Sequence, residues 1–406
     1  MSNVTNDTTT ATTVGWRSKP DARGTLSIIW SCLSVLFLCS YSVLKLNIPG
    51  TNETSWQILR RKLKWMVVAL LAPEVVAALA LEEWSQARNC VKQMPERSLV
   101  QAFYYVGGGV RCQIDDCRDD YVLFVLDMVG DAGGRAPEDI VGNEEVFSTI
   151  NFPTVQAIEK QSRSNSFVTV LAILQVLWFG IQCIARQASN IAITELELST
   201  SAFIILTIVT HIAWWSKPAE LQMETVVTDS STVTRITELA SAKGLSIGRL
   251  PHRRPNYFTA NDAWEEYVLD PSSKSGQWSE PAAREHRKDG QFTFDFPTFF
   301  GSITTSVVGG IHLLAWNFPF PTPWERILWR VTSLVITTLP VTGFLIELLA
   351  ELVQSILRRD LPLADYDVDV LFLCRVILIV QTFACLRAQP ASVYEVVQWT
   401  EFFPHI

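Results

Sequence analysis

Long apolar runs alternating with polar segments dominate the pattern of this chain. A helix rising 1.5 Å per residue needs about 20 apolar residues to cross a hydrocarbon layer of roughly 30 Å. Seven segments approach that length: about 25–45, 65–81, 167–185, 200–216, 298–316, 329–352 and 370–386. The second is short and interrupted by Pro73-Glu74, and the fifth contains Gly301, Gly309 and Gly310, so six or eight crossings stand beside seven. The pattern predicts an all-α membrane protein, a bundle of about seven transmembrane helices with two long extramembrane inserts. The chain then divides into a polar tail (1–24), two helices (25–81), an insert (82–166), helices three and four (167–216), a polar insert (217–297), helices five to seven (298–386) and a C-terminal tail (387–406).

The first apolar run follows a tail rich in Ser, Thr, Asn and Asp, lacks a basic start and exceeds a signal-peptide core, so it is expected to persist as an anchor. Arg60, Arg61, Lys62 and Lys64 crowd the connection between the first two spans, and basic short loops stay cytoplasmic. That places the N-terminal tail outside or in the lumen, where the sequons at Asn3 and Asn6 are expected glycosylation sites. Seven crossings then put the C-terminus in the cytosol and both inserts in the lumen. Arg358 and Arg359 oppose this orientation, and a third sequon at Asn52 falls on the cytosolic side. The expected location is the endoplasmic reticulum or plasma membrane.

Composition agrees with burial in lipid. Hydrophobic residues make up 48% and charged residues 18% of the 406 positions, the latter below the ~25% usual for soluble domains. With 33 basic and 41 acidic side chains the net charge is -8, so the field that draws a protein to a phosphate backbone is missing and nucleic acid is not an expected partner. The expected partners are the lipid bilayer and a lipophilic small molecule.

The eight cysteines include Cys32, Cys39, Cys183, Cys374 and Cys385 in predicted spans, which read as small buried hydrophobes. Cys90, Cys112 and Cys117 lie in the first insert, where Cys117 and Cys112 could pair with each other or with Cys90. No Cys-x2-Cys or His-x3-His spacing points to a metal, and no phosphate loop, dinucleotide fingerprint or Gly-x-Ser-x-Gly elbow is present, so neither metal nor cofactor is expected.

Ionisable groups inside spans carry more information, because each costs several kcal/mol unless partnered or hydrated. Glu74 sits mid-span after Pro73, where the missing backbone donor already loosens the helix. Arg375 is the one strongly basic residue well inside an apolar run, so Glu74 or Glu347 is expected to pair with it. His312, followed at i+4 by Trp316, joins Glu74 and Arg375 as a candidate catalytic group; His211 lies a turn before Trp214-Trp215 and reads as part of an interfacial end. Glu195 and Glu197 precede the fourth span and, two residues apart, are expected to point to different sides, one of them inward. Many of the 14 tryptophans fall at predicted span ends, as in an interfacial belt, though they could also line a cavity.

Several phrases form a recognisable set: Trp16, Pro20-Asp21 and Arg23-Gly24-Thr25; Leu46-Asn47-Ile48-Pro49; Lys64-Trp65 with Ala72-Pro73-Glu74; WFGIQCIAR (178–186) and ITELELST (193–200); Trp214-Trp215-x-Lys217-Pro218; HLLAWNFPFPTPWERILWR (312–330); and Trp399 with Pro404-His405-Ile406. Together they resemble a large family of fungal integral membrane proteins, mostly uncharacterised, some of which occur in secondary-metabolite gene clusters. The resemblance implies a membrane-embedded, cofactor-free enzyme of cyclase or isomerase type. Two places depart from the pattern: Lys45-Leu46-Asn47 stands where a His-Leu-Asn triplet is usual, and FYYVGGGV (103–110) where Met-Gly-Gly-Phe is expected. The alternatives are a seven-helix receptor or sensor and a transporter.

Overall fold

The computed structural model describes residues 13–18, 23–48, 54–93, 95–107, 109–113, 122–124, 153–162, 166–219, 225–227, 231, 248–249, 268–269, 278–279, 296–357 and 368–397. Asn3, Asn6, Asn52, Cys117, Arg358 and Arg359 lie outside these residues, and the side chains of Glu347 and Glu351 are likewise not among those described.

The described part is mostly helical. Helix α1 spans Thr25–Val43, α2 Ser55–Leu71, α3 Pro73–Gln93, α4 Leu99–Val106, α5 Val155–Gln161, α6 Ser166–Ala188, α7 Glu195–Ala213, α8 Phe296–Leu313, α9 Pro323–Leu357 and α10 Val368–Ala384. Capping boxes start three of them. Thr54 and Gln57 cap α2, Ser98 and Gln101 cap α4, and Thr194 and Glu197 cap α7, each pair satisfying two backbone donors that a helix start leaves open.

Among the described residues, five helices are long and apolar enough to cross a membrane: Thr25–Val43, Thr169–Ala188, Glu195–Ala213, Pro323–Ala350 and Val370–Arg387. They match five of the seven expected spans. The expected span 298–316 is a shorter apolar helix, Phe299–Leu313. The expected span 65–81 is divided: α2 and α3 meet at a bend of 112° and only together pass as a span. Proline is the cause. Pro73 has no N–H to continue the α2 ladder, Ala72 takes a non-helical conformation (φ -142°, ψ 68°), and a new helix starts at once.

Polar contacts fix which helix ends share a side. Gln175 donates to Ser34 midway along α6 and α1. Arg23, before α1, pairs with Glu197 at the start of α7. Gln381 of α10 donates to the Glu325 carbonyl at the start of α9 (2.9 Å), and Ser199 of α7 contacts His312 at the end of α8 (3.1 Å). Arg186, near the end of α6, donates to the Val393 carbonyl (2.7 Å). One end of the bundle therefore gathers the starts of α1, α7 and α9 with the ends of α6, α8 and α10. Strand β1 (Thr13–Val14) pairs antiparallel there with β8 (Gln389–Pro390), Val14 opposite Gln389, so the N-terminal and C-terminal segments lie at the same end.

The two inserts meet in a four-stranded sheet. Its order is β4-β2-β3-β5, with β2 (Val110–Gln113) and β3 (Val122–Phe124) from the first insert and β4 (Thr225–Val227) and β5 (Gly248–Arg249) from the second. Strands β6 (Val268–Leu269) and β7 (Trp278–Ser279) form a separate pair.

Burial follows the bundle. One cluster joins Val43, Trp65, Ala80, Phe103, Tyr104 and Trp214; a second joins Ile28, Cys32, Phe179, Phe203 and Tyr394; a third joins Ala315, Trp329, Ile336 and Leu378. Trp214 and Trp329 are fully buried, whereas Trp30, Trp56, Trp215 and Trp324 are exposed, so the tryptophans divide between core and perimeter. Cys32, Cys39, Cys374 and Cys385 are free and buried, as expected for span cysteines, and Cys183 is free and half-buried. Cys90 is also a free, buried thiol on α3, so it is not the partner of a disulfide.

Candidate functional site

The bend between α2 and α3 exposes two helix ends in the middle of the bundle, and each end recruits a charge. In a continuous helix the Leu71 carbonyl would accept from the N–H of Val75. Here Val75 N–H donates to Ala72 (3.1 Å), leaving the Leu71 carbonyl open. Arg375 of α10 fills it, its Nε donating at 3.0 Å. A cation at the C-terminal end of α2 and Glu74 in the first turn of α3 both oppose the local helix dipole favourably. Thr304 of α8 donates to the Glu74 backbone carbonyl at 3.2 Å, tying the break to a third helix.

The sequence expectation that Glu74 or Glu347 faces Arg375 resolves to Glu74. Arg375 Nη2 stands 3.8 Å from Glu74 Oε2, close enough for an ion pair and too far for a hydrogen bond. Glu74 is 8% exposed, and its Oε2 has no hydrogen-bond partner among the described residues. A buried carboxylate oxygen is ordinarily satisfied. This one faces a cation across a gap.

His312 is 1% exposed and is bound elsewhere. The Val308 carbonyl only accepts, so Nδ1 carries the hydrogen it donates there (2.7 Å), and in the neutral ring Nε2 accepts from the Ser199 hydroxyl (3.1 Å). Trp329 packs against the ring and donates Nε1–H to the His312 carbonyl at 3.0 Å. His312 is eight residues beyond Thr304 on α8, about 12 Å along the axis. It lies within electrostatic reach of Arg375, but its hydrogen-bond partners do not include Glu74 or Arg375. The structure thus joins two of the three expected catalytic residues and commits both ring nitrogens of the third.

Both Glu195 and Glu197 point inward, correcting the expectation of one. Glu197 closes the capping box on Thr194 and pairs with Arg23, while Glu195 accepts from Gln389 Nε2 at 2.7 Å. Residues i and i+2 of a helix can both be buried where different neighbours cover both sides, and here α1 and the segment after α10 do so.

A second buried charge cluster went unread in the sequence. Glu83 of α3 accepts from Lys217 Nζ at 2.6 Å and from Trp214 Nε1 at 2.8 Å, with Asn47 a further donor. Lys217 also lies 4.5 Å from the centroid of the Trp214 ring. Lys45 caps the end of α7, donating to the carbonyls of Trp214 (2.7 Å) and Lys217 (3.0 Å). Burial, with the Lys217 ammonium pushing the same way, lowers the Lys45 amine to about 8. The Ile48 N–H donates to the Gly107 carbonyl at 3.1 Å. Three of the phrases that carry the family resemblance, or depart from it, therefore meet around Glu83: Lys45-Leu46-Asn47, Trp214-x-x-Lys217 and FYYVGGGV. That convergence was the available signal.

Among the described residues no group of His, Cys, Asp or Glu has the arrangement of a metal site. A protein-family model described as a family of unknown function (DUF8562) matches residues 1–96, 88–244 and 363–406, well over half of the chain. No curated protein and no solved structure matches.

Proposed function

The chain belongs to the DUF8562 family, and on that footing we propose that it is a multi-pass membrane protein acting on a lipophilic small molecule at the break between α2 and α3. The observation that carries this reading is the buried Glu74 Oε2, without a hydrogen bond and 3.8 Å from Arg375. A polar atom of a greasy ligand entering that gap completes both groups. The reaction class that suits the pair is cofactor-free isomerisation or cyclisation: the Glu74 carboxylate takes a proton from one atom of the substrate and returns it to another, Arg375 holds a fixed positive charge, and no electron acceptor or leaving group is required. The resemblance to fungal membrane proteins of metabolite clusters supports a place in secondary metabolism.

Six crossings fit the arrangement better than seven. The β1–β8 pairing favours an even number, and α1, α6, α7, α8, α9 and α10 alternate in direction along the chain. On this reading α2 and α3 form a re-entrant pair, entering and leaving by the end that carries Lys45 and Lys217. Both inserts then share that side, as their common sheet favours.

Metabolite profiling of a deletion strain tests the function. An enzyme leaves an accumulated precursor, and a strain carrying Glu74→Gln accumulates the same compound. Unchanged metabolites in both strains sink the reading. Transport is a second reading favoured by one observation, the broken helix deep in the bundle. Under it the deletion strain redistributes an unaltered compound across the membrane.

A further inference from the structure

The site at the bend uses the end of α2 and leaves the rest of that helix unexplained. We propose that α2 is an interfacial helix that binds anionic phospholipid headgroups through Arg60 and Lys64, in the leaflet at the Lys45 end of the bundle. This rests on the membrane reading above and extends it to a lipid class.

Position comes first. Lys62 Nζ lies 4.3 Å from the centroid of Tyr41, two residues before the end of α1, and Trp65, Met66 and Ala69 pack in the cluster that holds Val43 and Leu44. The middle of α2 is therefore level with the end of α1. Its last carbonyl, on Leu71, reaches Arg375 within α10. With the 112° bend to α3, the helix crosses the bundle obliquely, descending from its end toward its interior.

Surface chemistry comes second. Trp56, Leu59, Leu63 and Val67 are exposed and, spaced 3, 4 and 4 residues apart, form one stripe. Arg60 and Lys64, one turn apart, are exposed beside that stripe and have no ion pair among the described residues. The 17 residues of α2 contain no Asp or Glu, so Arg60 and Lys64 meet no acidic side chain within the helix. A helix with an apolar stripe flanked by cations that enters a bilayer obliquely keeps its apolar side chains among the acyl chains while its cations snorkel to the headgroups. A zwitterionic surface gives those cations no net attraction; an anionic one does.

The test uses the purified full chain in nanodiscs of mixed phosphatidylcholine and phosphatidylglycerol, quantifying the lipid retained after detergent extraction. The expected result is enrichment of phosphatidylglycerol by the unaltered chain and a loss of about tenfold or more in that preference for the Arg60→Gln/Lys64→Gln double variant. Arg326→Gln, removing an exposed cation at the opposite end, is expected to keep the preference. Equal retention of both lipids by the unaltered chain, an unchanged preference in the double variant, or the same loss in Arg326→Gln overturns the proposal. Alkaline carbonate separates the two levels: a chain stripped from membranes sinks the membrane reading and this proposal together, whereas a carbonate-resistant chain without lipid preference sinks this one alone.

Discussion

Of the three buried carboxylates on helix α3, Glu74 and Glu83, nine residues apart, each face a cation from a distant part of the chain, and they close on it to different degrees. Glu83 is tightly engaged through one oxygen: Lys217 at 2.6 Å and Trp214 N–H at 2.8 Å converge on Oε2, while Oε1 is buried without a hydrogen bond among the described residues. Glu74 is held more loosely, its charged partner among the described residues standing at 3.8 Å. Burial is similar, 3% and 8% exposed, so desolvation does not separate them. The surrounding backbone does. Glu83 faces the closed end of α7, where a buried salt bridge with additional donors locks two helices in register. Glu74 stands at a helix break, where Arg375 spends its Nε donor on the Leu71 carbonyl and cannot close fully on the carboxylate. A pair locked by close hydrogen bonds holds structure, and one held apart across a gap is available for chemistry.

The largest expected effect breaks the comparison on the structural side. Glu83→Ala strands the Lys217 ammonium and the Trp214 N–H in the core and is expected to cost about 3–5 kcal/mol, read as a large drop in melting temperature in detergent. Replacing Glu83 and Lys217 together with methionine restores most of that loss. A Glu83→Ala protein that melts like the unaltered chain removes the distinction between the two sites.

A backbone contact away from both carboxylates calibrates the scale. A Cβ on Gly309 would meet Thr337 Oγ1 at 2.4 Å and its backbone nitrogen at 2.5 Å, where α8 crosses α9, whereas one on Gly301 meets nothing within 4 Å. Gly309→Ala is expected to destabilise by about 1–3 kcal/mol, and Gly301→Ala to leave thermal unfolding unchanged. Equal melting of the two variants contradicts the close approach of α8 and α9.

Glu74→Gln sharpens the comparison from the functional side. Its expected stability change is within about 1 kcal/mol, because the ion pair it removes is long and has no hydrogen bond, while turnover of the metabolite is lost. The reverse result, a protein that turns over normally and unfolds readily, makes Glu74 a structural residue like Glu83.

The smallest effect is a pH dependence at the Lys45 end. With the folded Lys45 amine near 8 and its ordinary value 10.5, the unfolded chain holds more protons between those values. This group's contribution to stability therefore increases as pH rises from about 8 to 10.5. Melting curves over that interval are expected to show the increment in the unaltered chain and not in Lys45→Met.

The two sites were unequally legible for a physical reason. Charges within apolar runs are few and expensive, so Glu74 and Arg375 stood out, with Glu347 as the alternative partner. His312 stood out for the same reason, and what its span position could not reveal was that Val308 and Ser199 already engage both ring nitrogens. Glu83 lies in a segment rich in charge, Lys45 and Lys217 lie just past span ends where lysines are ordinary, and the Glu83–Lys217 contact joins residues 134 apart. Nothing local marks such a pair.

Sequence alone determined five long apolar helices and the place of the break, because crossing length and proline's missing donor are properties of the local chain. It could not determine that 65–81 folds back at 112°, that β1 pairs with β8, or which carboxylate closes on its cation. Those depend on how far apart groups from separate helices come to rest, and only tertiary packing sets that distance.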